Sequence, residues 1–302
     1  MSVILGSPLV IEGYELTERL LKHSMDPDTP LPPVEVWAAR CIHDNTVAIL
    51  KFCRCAEAQG RPQLEYIQRE GAILSKLAQI RIPRFLESFY TPQVVGFAME
   101  RVPGETLTQW VKRPPYGRLT YQPWPANYRA VMSMCCQIAE TMGFVHGVGL
   151  VHADIKPANI IVTPLGDTYL IDFGIARPYR DEGDQLLADA SQVTWFDGPI
   201  GTISYIAPEL LRGQPALPCS DVYMLGIVMY ELLCGQTPYQ AEGLSIADYL
   251  LAMDDPEPIR ASRDDIPADL AHLVMSCISI DPADRPKNGT LLAQALTVLS
   301  RE

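Results

Sequence analysis

The segment His152-Ala153-Asp154-Ile155-Lys156-Pro157-Ala158-Asn159 places a carboxylate, a cation and an amide within a few residues of one another. Asp172-Phe173-Gly174 follows thirteen residues after Asn159, closing the apolar run Tyr169 to Ile171. Transfer of a phosphoryl group needs an acceptor for the incoming hydroxyl's proton, metal ligands at the phosphates and cations to offset developing charge, with little covalent chemistry beyond that. The two segments contain all three. Any one of these residues alone would be an ordinary solvated surface group; ordered and spaced in this way they read as a catalytic site.

A further cation, Lys51, ends the strand-like run Val47 to Leu50. In the helix expected from about Pro62 to Leu77, Leu64, Ile67, Leu74 and Leu77 mark one face. Glu70 falls three residues after Ile67 and four before Leu74, so its carboxylate points inward with them. A buried carboxylate requires a cation, and Lys51 from the adjacent strand is the natural one.

These segments must be positioned by two kinds of element. From Tyr14 to Leu86 the pattern is one of short strands broken by turns around that single helix, and from Thr106 onward it becomes mostly helical. Val94 to Met99 reads as a buried strand, and Pro103 and Gly104 as a break, which puts a lobe boundary near Glu100 to Gly104. Met25 to Pro33 and Arg113 to Pro125 are proline-rich and read as loops; the second, with Tyr116, Tyr121 and Trp124, is either a self-packed connector or a docking site for a partner.

The ordered set, with Ala207-Pro208-Glu209 downstream, resembles the HRDxxxxN, DFG and APE segments of eukaryotic-type protein kinases. The resemblance implies roles. Asp154 would take or orient the hydroxyl proton, Lys156 would touch the transferring phosphate, Asn159 and Asp172 would hold magnesium, and Lys51, paired with Glu70, would hold the α- and β-phosphates of ATP. Glu100 and Val102 would supply backbone groups to adenine, Val36, Ile49 and Ile161 would sandwich it, and Met99 would guard the pocket. Thr202, together with Lys156, looks like the serine/threonine branch, so the implied substrates are protein hydroxyls of that kind. Asp221 would hold the backbone of the catalytic loop, and Arg285 would pair with Glu209. The implied fold is α+β and bilobal: a small antiparallel sheet with one helix over residues 1–101, and a larger, mostly helical lobe over residues 102–302.

The chain departs from that pattern in three places. Between the strands Tyr14 to Leu20 and Val36 to Arg40, the stretch Leu21 to Glu35 has four prolines, Asp26 and Asp28, and no glycine, where the family lays a glycine-rich loop over the phosphates. Two residues before the lysine, Ile49 stands where the VAIK motif has a small alanine. Alternation puts Val47, Ile49, Lys51 and Cys53 on one face, unless a one-residue bulge restores Ala48 to that place. Third, Ala153 replaces the arginine with which most regulated kinases gather a phosphorylated activation loop. The missing lid and Ile49 favour a rival reading, a pseudokinase acting as a nucleotide-binding or scaffolding module; the complete set Lys51, Glu70, Asp154, Asn159 and Asp172 opposes it.

Composition bounds the rest. The 302 residues carry a formal charge of -12, which opposes binding to nucleic acid and to anionic membrane surfaces. The eight cysteines include no CxxC pair; Cys135 and Cys136 read as core, and Cys53 and Cys55, flanking the lysine strand, read as packing groups or as a redox-sensitive site. The longest apolar run, Val222 to Cys234, falls short of the roughly 20 residues that span a membrane. The start lacks a basic leader, and Ser2 removes a myristoylation signal, so the expected location is the cytoplasm.

Overall fold

The computed structural model describes residues 9–21, 34–55, 62–112, 128–179, 200–239, 244–253 and 256–301. The glycine-free lid and the loop at residues 113–125 lie outside them, apart from the lid's two flanks. The chain divides into two compact units, Met1–Pro103 and Gly104–Glu302, two residues beyond the boundary drawn from the sequence.

The first unit is a six-stranded antiparallel sheet in the order β1-β2-β3-β4-β6-β5. Its strands are β1 (Val10–Ile11), β2 (Tyr14–Leu21), β3 (Glu35–Cys41), β4 (Val47–Arg54), β5 (Phe85–Tyr90) and β6 (Val94–Glu100). β4 shows why the sequence alternates as it does: Ala48, Leu50 and Phe52 are fully buried on one face, packing with Leu16, Phe89 and Ala98. The Tyr14 hydroxyl of β2 donates to Glu87 of β5 at 2.7 Å, so the sheet curls until strands from its two ends meet over this core. The register of β4 against both β3 and β6 runs without interruption, Ile49 opposite Ala38 and Met99. The bulge that would have returned Ala48 to the lysine face is therefore absent, and Ile49 shares that face with Lys51.

Helix α1 (Pro62–Leu74) packs on this face, with Glu70 against Lys51 and Gly71 against Phe97. It ends three residues earlier than expected, although Leu77, in the turn that follows, is still buried. Gly71 lets the helix approach β6: a Cβ there would meet the Phe97 ring at 3.2 Å.

The second unit is helical, with short sheet pairs that the sequence reading missed. These are β7 (Glu105–Thr106), β9 (Ile160–Val162) and β10 (Thr168–Leu170), and separately β8 (Leu150–Val151) with β11 (Arg177–Pro178). Strands of two or three residues carry too little periodicity to be read. The helices are α2 (Leu107–Trp110), α3 (Tyr128–Gly147), α4 (Pro208–Leu211), α5 (Pro218–Cys234), α6 (Ile246–Ala252), α7 (Ile259–Ser262), α8 (Ala268–Cys277) and α9 (Gly289–Leu299). α5 is buried on every side, which explains its apolar run without any membrane. No helix among the described residues is long and apolar enough to cross one.

Candidate active site

In the first unit, Lys51 Nζ lies 2.7 Å and 2.8 Å from the two carboxylate oxygens of Glu70. β4 aims the lysine and α1 the glutamate, whose side chain is 3% exposed against 12% for Lys51. Glu70 sits on the helix face it shares with Ile67 and Leu74, so its burial follows from helical periodicity, and the lysine answers the charge. Val36, opposite Lys51, and Met99, opposite Ile49, share the lysine face with Ile49. Val36 is buried, whereas Ile49, Met99, Glu100 and Val102 are half-buried. The Glu100 N–H donates to the Arg84 carbonyl at 2.8 Å.

In the second unit the catalytic loop leaves β8 and closes on a 3₁₀ turn, Pro157–Asn159, that feeds β9. Lys156 Nζ lies 2.8 Å from Asp154 Oδ2, and Asn159 Nδ2 donates to the same oxygen at 2.7 Å and to the Asp154 carbonyl at 2.9 Å. Burial pushes the Asp154 carboxyl above its ordinary range, and Lys156 works against that shift. The Asp154 N–H donates to His152 Nδ1 at 3.2 Å, and His152 Nε2 to the Ile171 carbonyl at 3.1 Å. The Ile171 N–H in turn donates to the Asn159 carbonyl at 3.0 Å. The loop and the Asp172 segment are thus laced through His152, whose ring also meets Phe173 edge-on at 4.7 Å. Ile161, on β9, is half-buried opposite Tyr169 and Thr106.

Two non-glycine residues here hold left-handed backbones, Ala153 at φ 65° and Asp172 at φ 66°. Such a conformation costs roughly 1–2 kcal/mol per residue and persists where neighbours over-determine it. Asp221 does so for the loop: fully buried at the start of α5, it accepts from the His152 N–H at 2.8 Å and the Ala153 N–H at 2.7 Å. His146 Nε2, 2.9 Å from Asp221, was not singled out in the sequence, because no motif contains it and only its partners reveal it. Below the loop, Arg285 grips Glu209 through two bonds of 2.8 Å and 2.9 Å, and Ser220 donates to the same carboxylate at 2.6 Å.

A carboxylate held by a cation and an amide, on a loop whose next segment presents a second carboxylate, matches a known family: the protein kinase domain aligns with residues 35–297. The chain belongs to the protein kinase domain family. This kinase domain is 34% identical over 273 residues to the serine/threonine-protein kinase PknA of Mycobacterium tuberculosis, covering 88% of this chain and 58% of that protein. It is 34% identical over 279 residues to the probable serine/threonine-protein kinase PknB of Corynebacterium glutamicum, covering 88% and 40%. It is 28% identical to the serine/threonine-protein kinase pkn3 of Myxococcus xanthus, covering 89% and 48%. The kinase domain therefore spans about half the length of these relatives.

Proposed function

We propose that the chain transfers the γ-phosphate of ATP to serine and threonine hydroxyls of proteins, with magnesium as the required ion. The observation that carries this reading is the convergence of Lys156 and Asn159 on one oxygen of Asp154. A nucleotide-binding scaffold has no chemical need for that arrangement. The oxygen donors suit magnesium. Asn159 spends its amide nitrogen on Asp154 and so keeps its oxygen as an acceptor, and Asp172 supplies a carboxylate. Among the described residues no group of three or more acidic, His or Cys side chains could hold a metal. An ion bound through one or two protein oxygens, with phosphates completing its shell, is the magnesium pattern. When bound, it would neutralise charge between the phosphate oxygens.

In this reading Lys51, oriented by Glu70, holds the α- and β-phosphates. Asp154 accepts the proton of the incoming hydroxyl, and Lys156 offsets the charge that develops on the transferred group. Asn159 and His152 keep Asp154 aimed. The cysteine spacing, with no CxxC pair, suits a reducing cytoplasm, and the net charge suits protein rather than nucleic-acid partners.

The test is labelled ATP with magnesium and a generic basic protein, beside an Asp154→Asn control. Removing a general base costs on the order of 10²–10⁴-fold in rate, and a loss in that range is expected. No transfer above the control would overturn the reading.

A further inference from the structure

We infer that His146 is a positioning residue through which the N-terminus of α9 sets the geometry of the catalytic loop; this rests on the proposed transfer reaction. The ring lies in α3, is 3% exposed and has a partner on each nitrogen. The Gly289 N–H, the first of α9, donates to Nδ1 at 3.1 Å. Because Nδ1 accepts, the ring proton sits on Nε2, and Nε2 donates to Asp221 Oδ2 at 2.9 Å. That oxygen also accepts from the His152 N–H, while Oδ1 accepts from Ala153. An unbroken chain of bonds thus runs from Gly289 through His146 and Asp221 to the two residues before Asp154. Asp221 is fully buried, so water cannot replace a lost donor.

The start of α9 is placed by contact rather than by chance. A Cβ on Gly289 would stand 2.5 Å from the Ala139 carbonyl oxygen and 2.5 Å from the Gly143 nitrogen, and one on Gly143 would stand 2.6 Å from Thr290 Oγ1. All three distances are too short for a side chain, so the two backbones touch only because both residues are glycine. The contact sets the position of the Gly289 N–H against Nδ1. Ala153 holds a left-handed backbone, and a loop in that state tolerates little displacement of its anchor.

Two substitutions separate the arms. His146→Gln places an amide nitrogen near Nε2 and keeps the donor to Asp221, but loses the acceptor for Gly289. His146→Asn keeps the acceptor and loses the donor. The relay requires both, so each variant should lose about 10²-fold in kcat, the scale of a misplacement near 1 Å, with KM for ATP unchanged. The His152 and Ala153 amides should exchange with solvent about tenfold faster, the size of one hydrogen bond to a charged group. Gly289→Ala should do the same with His146 intact. Thr297→Ala, which removes the Cys136 contact farther along the same helix pair, should lower the melting temperature and leave kcat and both amides as they were. Wild-type kcat and amide exchange in His146→Gln would overturn the inference, as would an equal kcat loss in Thr297→Ala. If the unmodified chain transfers no phosphate, the proposed reaction fails, and amide exchange in the same variants still decides the relay.

Discussion

Arg285→Met strands a carboxylate in the core of the second unit, and the cost can be worked from the bonds it breaks. The guanidinium is fully buried and the Glu209 side chain is 5% exposed. Besides its two bonds to Glu209, Arg285 donates to the carbonyls of Ser279 at 2.8 Å, Cys219 at 3.2 Å and Ile280 at 3.2 Å, and it lies over the Tyr223 ring at 4.7 Å. After the substitution Glu209 keeps Ser220 as its side-chain donor. Removing one partner of a buried pair costs about 3–5 kcal/mol, and for a unit of this size each kcal/mol moves the melting temperature by about 2–4 °C. A fall of roughly 6–20 °C at neutral pH is expected by calorimetry. The pH dependence gives an independent sign. Burial alone would raise the Glu209 carboxyl; the Arg285 bonds and charge overcome that and hold it below its ordinary value. In the unmodified chain the pair's stability is therefore present above the unfolded value of about 4.3 and is lost as pH falls through the lower folded value. In Arg285→Met the stranded carboxyl shifts upward instead, so the variant's deficit should shrink as the medium is acidified toward about pH 5. A Glu209→Leu, Arg285→Met double variant should recover much of the loss, because no charge is left buried. A deficit below about 1 kcal/mol, or one that grows on acidification, would refute the reasoning.

Two further outcomes follow from single side chains. In the proposed reaction Asp154 acts as a deprotonated base, and burial holds its carboxyl above its ordinary range, with Lys156 opposing. The acid limb of the rate profile should therefore lie above the usual carboxylate value of about 3.9, and Lys156→Met should move it higher still; a limb that moves down in the pH–rate profile would contradict this. Second, the Tyr223 hydroxyl is buried in α5 with no hydrogen-bond partner among the described residues. Tyr223→Phe should leave stability unchanged or raise it by up to about 1–3 kcal/mol, read from the urea midpoint, and a clear loss would reveal a partner for that oxygen.

Much of the candidate site was legible because its residues are close in the chain and their spacing is dictated by local chemistry. The loop from His152 to Asn159, the Asp172 segment and the face of α1 that buries Glu70 could be read without coordinates. Glu70 and Lys51 could be joined on paper because a helix face and a strand alternation each have a fixed period. The short strands flanking the catalytic loop could not, since pairs of two or three residues draw their stability from partners far along the chain. The face of Ile49 stayed open in the sequence, because one inserted residue inverts a strand's alternation; the uninterrupted register of β4 decided it.

By itself, then, the sequence determined the family, the order of its chemical groups and the pairing of one lysine with one glutamate. Only the tertiary structure decided what holds those groups still. His146 belongs to no local motif, and its role depends on Gly289, 143 positions away, and on Asp221, 75 positions away. Nothing in the spacing of such residues announces the contact, because it is made by two backbones that approach closely at Gly143 and Gly289, and that approach exists only once the helices have packed.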